Sequence, residues 1–208
     1  MPESKLKLAK KTHKTDFGIY EDYSARIPDT KIEAPWGHYI CYHDGTFSDI
    51  TNKLMWIQAP WGMTYNGKKF KGEPVELNWD DATQLFGFGG AIPYTDGRLR
   101  KEDIEAYEDA SYIRGSCEIT FSGYRNWRLP TARELLTLFV TTALRDTRVK
   151  QLREQLFPDH SGNMFWSAND LAKDWAWLFD DRLSAKGGLS LCDYPKESEY
   201  PVLFVRNF

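Results

Sequence analysis

The sequence predicts an α+β domain, and three observations carry that prediction. Alternating aromatic and β-branched runs fill the first third after residue 37. Segments with their own helix caps occupy the middle, and strand-like runs return in the last third. Strands at both ends of a domain with helices between them suit a sheet shared by the N- and C-terminal strands. The 208 residues fit one largish domain over 31–208, preceded by a basic lead-in over 1–30.

The opening stretch "MPESKLKLAKKTHKT" sets five lysines against one glutamate and reads as a mobile, solvated arm. It lacks the apolar segment of a secretion signal, and no apolar run in the chain is long enough to span a membrane. Cys41, Cys117 and Cys192 are too few and too scattered for a disulfide framework. A cytoplasmic location is the expectation from these features.

"HYICYH" (38–43) alternates as a strand does. A turn at Asp44-Gly45 follows, then strand-like "TFSDI" and "KLMWIQ" around Thr51-Asn52. Asn66-Gly67 signals a hairpin turn. "LNWDDATQLF" predicts a helix with Asn78 as its N-cap and Asp80 and Asp81 at the positive end of the dipole. "GFGGAIPYTDG" reads as a loop. Its glycines lack the lysine-hydroxyl pair and the strand-to-helix setting of a phosphate cradle. With "KEDIEAYEDASYI", a short surface helix, it forms an insertion over about 86–120 that is expected to be dispensable for folding.

"SGYRNWRLPTARELLTL" (122–138) is the most informative stretch. Thr131 and Glu134 are spaced as a capping box, and Leu135, Leu138 and Phe139 continue as an apolar stripe. Pro130 keeps Leu129 out of helical angles. Arg128 stands between Trp127 and Leu129, so it needs an acidic or carbonyl partner if it is buried. "RDTRVKQLREQLFPDH" predicts a further helix, with Val149, Leu152 and Leu156 on one side and Pro158 past its end. "NMFWSA", "DWAWLFD", "GGLSLC" and "YPVLFVRNF" are four strand candidates.

The formal net charge of −3 gives no overall basic field, and nucleic acid is not an expected partner. No metal or other cofactor is expected. His38 and His43 lie five apart on a strand-like run and do not share a face. A calcium site could draw only on Asn169, Asp170, Asp180 and Asp181, which also suit turns and strand ends. None of the three cysteines has the adjacent base that a nucleophile needs.

Taken together, "DGTFSDITNKLMW", "NWDDA", "SGYRNWRLPTARELLTL", "MFWSAN", "WAWLFDD" and "PVLFVRN" occur in an order that resembles the C-terminal domain of the Legionella collagen-like protein (Lcl) family. The resemblance covers roughly residues 40–207. It implies a C-type-lectin-like fold, a curved antiparallel sheet with two main helices. It also implies a non-catalytic ligand-recognition module that binds a glycan or another polyanion through loops of the C-terminal third. An intracellular module docking a protein partner, with the insertion as contact surface, is the alternative. An enzyme of the formylglycine-generating type is the third reading, though Cys192 lacks the second cysteine that chemistry uses. Where many members carry a closing-strand cysteine, this chain has Leu203-Phe204.

The resemblance assigns Trp56, Trp127, Trp166 and Trp177 to the core, beside the structural set Arg128, Thr131 and Glu134. Trp36, Trp61 and Trp175 lie off the family pattern and are the candidates for stacking on a ligand or partner. The ligand-binding expectation falls on Trp175, Asp180, Asp181, Arg182 and Lys186, around the turn where lectin-like folds present their ligand loops.

Overall fold

Runs of consecutive large apolar residues, rather than an apolar–polar alternation, mark strands buried on both faces. The chain has four such runs, in 54–57, 164–166, 176–179 and 202–205, and they form the centre of the molecule. A computed structural model describes residues 11–15, 18–22, 28–34, 37–86, 92–93, 119–125, 127–139, 147–159, 164–180 and 191–207.

In chain order, β1 (Lys11–Thr15) and β2 (Gly18–Asp22) pair as an antiparallel hairpin. The lead-in over 1–30 therefore contains two strands and the start of a third, and β1 falls at the end of the stretch read as a mobile arm. β3 (Pro28–Ala34), β4 (Gly37–Tyr42), β5 (Thr46–Asp49) and β6 (Leu54–Ile57) form an antiparallel meander. β7 (Thr64–Tyr65) and β8 (Phe70–Lys71) make the hairpin signalled by Asn66-Gly67. Then come α1 (Trp79–Phe86), β9 (Ile92–Pro93), α2 (Ala132–Phe139) and α3 (Thr147–Leu156). β10 (Met164–Ala172), β11 (Trp175–Asp180), β12 (Leu191–Pro195) and β13 (Val205–Asn207) complete the chain.

Two sheets result. One runs β13-β6-β5-β4-β3, so the expected sharing of a sheet by N- and C-terminal strands holds, with Val205 opposite Trp56. The other runs β12-β11-β10-β9. β9 belongs to the stretch read as an insertion, yet Ile92 and Pro93 pair in parallel with Asn169 and Asp170. The rest of 87–118, including the expected surface helix, lies outside the described residues. No helix among the described residues is long and apolar enough to cross a membrane.

The period of two sends alternate residues into two cores. Met55, Ile57, Trp166, Leu178, Val202 and Phe204 join Trp79, Phe121 and Trp127 in one. Trp56, Phe165, Phe179, Leu203 and Val205 join Leu135, Leu138, Leu152 and Leu156 of α2 and α3 in the other. Trp61 was a stacking candidate on sequence grounds. In the structure it is half-buried, its ring 5.0 Å from Phe86 and 6.1 Å from Phe204, packed against the first core.

Both predicted caps form. The Asp81 amide donates to Asn78 Oδ1 at 2.8 Å, and Asn78 Nδ2 returns a bond to Asp81 Oδ2 at 2.7 Å. At α2 the Glu134 amide donates to Thr131 Oγ1 at 3.0 Å and the Thr131 amide to Glu134 Oε2 at 2.8 Å. Each arrangement satisfies helix-start amides that would otherwise lack a partner. Thr131→Ala removes one arm of the box and is expected to cost ~1 kcal/mol in a denaturant melt. An unchanged midpoint would refute that role.

The segment ahead of α2 stitches the two sheets. Arg128 exchanges backbone hydrogen bonds with Val205 at 3.0 Å each way, and the Ala168 amide donates to Pro130 O at 2.8 Å. Residues 201–204, read as part of a long closing strand, instead bond singly to both sides. Pro201 O accepts from Trp166 N, while Val202 O and Phe204 O accept from Trp61 N and Ile57 N. The ladder proper begins only at Val205.

Candidate functional site at the open end of the C-terminal sheet

The register of β10, β11 and β12 decides what the C-terminal third presents. Trp175 lies opposite Pro195, Trp177 opposite Asp193 and Phe179 opposite Leu191, so these six share one face. Ala176 and Leu178 take the other face and enter the first core. Along the shared face burial falls off toward the hairpin. Phe179 is covered together with the leucines of α2 and α3, Trp177 is half-buried, and Trp175 is 42% exposed. Leu171, in the same hairpin, is also exposed.

The hairpin carrying Trp175 is held from below. Lys196 Nζ pairs with Asp170 Oδ1 at 2.7 Å, donates to Lys173 O at 3.2 Å and sits 4.4 Å from the centre of the Trp79 ring. The Lys196 amide donates to Asp174 O at 3.0 Å, and the Trp79 indole donates to Ser167 O at 2.8 Å. Helix α1, strand β10 and the 173–174 turn are thereby tied to one lysine. A side chain on such a support loses little freedom when it meets a ligand.

The other expected site residues divide. Asp180 ends β11 only 2% exposed, which corrects its assignment to a ligand-facing role, because a solvent-borne ligand cannot reach it there. Asp181, Arg182 and Lys186 lie outside the described residues, as does Trp36. Asn169 and Asp170 make structural contacts. Buried Asn169 accepts the Ala132 amide at 2.7 Å and so caps α2 from a neighbouring strand, while Asp170 pairs with Lys196. Trp56, Trp127 and Trp166 are fully buried, as the core assignment requires, and Trp177 only in part. Sequence reasoning missed Lys196 and Leu171. No local signal marks either, since their roles depend on strand register.

The model of the Lcl C-terminal domain family matches residues 45–206. The match runs from the turn before β5 into β13 and includes the whole C-terminal sheet. Among curated proteins none matches the chain.

Proposed function

The chain belongs to the Lcl C-terminal domain family, and from that premise we propose that it is a non-catalytic ligand-recognition module on a C-type-lectin-like scaffold. Its ligand is a glycan or another polyanion, taken up at the end of the C-terminal sheet. The exposed indole of Trp175 on its clamped hairpin carries the reading. An indole presents a wide, rigid apolar face at little entropic cost, suited to the C–H face of a sugar ring. Arg182 and Lys186, in the sequence between β11 and β12, supply the cationic half of polyanion recognition.

A glycan array followed by titration tests this reading. Trp175→Ala is expected to remove binding. Arg182→Glu with Lys186→Glu is expected to abolish binding of anionic glycans. Wild-type binding should also weaken with added salt, because screening acts within ~8–10 Å. Salt-insensitive binding that survives the double reversal would place the ligand elsewhere.

Leu171, exposed in the same hairpin as Trp175, favours a second reading, a protein partner. Exposed apolar side chains around an aromatic anchor suit a small docking patch. A silent glycan array, with a protein retained from native lysate by wild type and lost on Trp175→Ala, would select that reading.

A further inference from the structure

We draw no further inference here: the strongest candidate, the surface patch of exposed carboxylates (Glu73, Glu76, Asp80, Glu197 and Glu199) where the segment leading into α1 meets residues 196–200, is a cluster of acidic residues that nothing else among the described residues ties to a ligand.

Discussion

Arg128→Ala is expected to lower the stability of the protein by ~3–5 kcal/mol, because it breaks a buried ion pair from one side. Arg128 is 3% exposed. Its two terminal nitrogens donate to the two oxygens of Glu134 at 2.8 and 2.7 Å, and one of them also reaches Asn207 Oδ1 at 2.7 Å. The same Glu134 accepts the Thr131 amide, so one carboxylate closes the helix cap and neutralises the arginine. Loss of the guanidinium leaves that carboxylate without the charge that neutralises it.

The pH dependence follows. Burial alone would push the Glu134 carboxyl up. The Arg128 charge and its hydrogen bonds, with those of Thr131, outweigh burial and hold it below its usual value of 4.5. A group depressed in the folded state contributes stability that is fully present above its unfolded value and lost as pH falls through the folded one. In Arg128→Ala burial acts with less opposition and the carboxyl rises. The stability gap between wild type and variant is therefore widest near neutral pH and narrows on acidification below about 4.5. Denaturant melts across that range check it; a constant gap, or a variant that melts like wild type, would refute the paired carboxylate.

What the sequence revealed and what it withheld divide by the range of the interactions. The capping pairs Asn78–Asp81 and Thr131–Glu134 are three residues apart, so spacing alone exposes them. That Arg128 needs an acidic partner follows from its apolar neighbours, and the partner lies six residues on. Asn207, which shares the arginine, is 79 residues away, and Asn169, which caps α2 from β10, is 37 residues away. Neither has a periodicity or motif to announce it. Trp61 and Trp175 both lie off the family pattern, yet one packs against the core, half-buried, and the other is exposed. The difference lies in where the 201–204 segment and Phe86 come to rest, which is a tertiary outcome.

Two tryptophans nine residues apart in the C-terminal sheet should respond to truncation in opposite ways. Trp166 is fully buried, its ring lies 5.3 Å from Tyr200, and its indole donates to Leu77 O at 2.8 Å. Its backbone amide donates to Pro201 O, so the ring fills the space where the extended 201–204 segment meets β10. Trp166→Ala is expected to cost ~3–5 kcal/mol through lost burial and the cavity left behind. The lost indole donor adds to this, although Leu77 O keeps its bond from the Tyr200 amide at 3.0 Å. Trp166→Phe retains much of the apolar volume and should cost less, which separates packing from the hydrogen bond. Trp175 is the counterpart on the open face. Trp175→Ala removes a side chain that already keeps much of its surface in water, so its cost should be ~1 kcal/mol or less, while ligand binding is lost. Equilibrium melts and a binding titration on both variants read the two effects separately. A Trp175→Ala variant as unstable as Trp166→Ala would make Trp175 a scaffold residue and remove the main support for recognition at this end of the sheet.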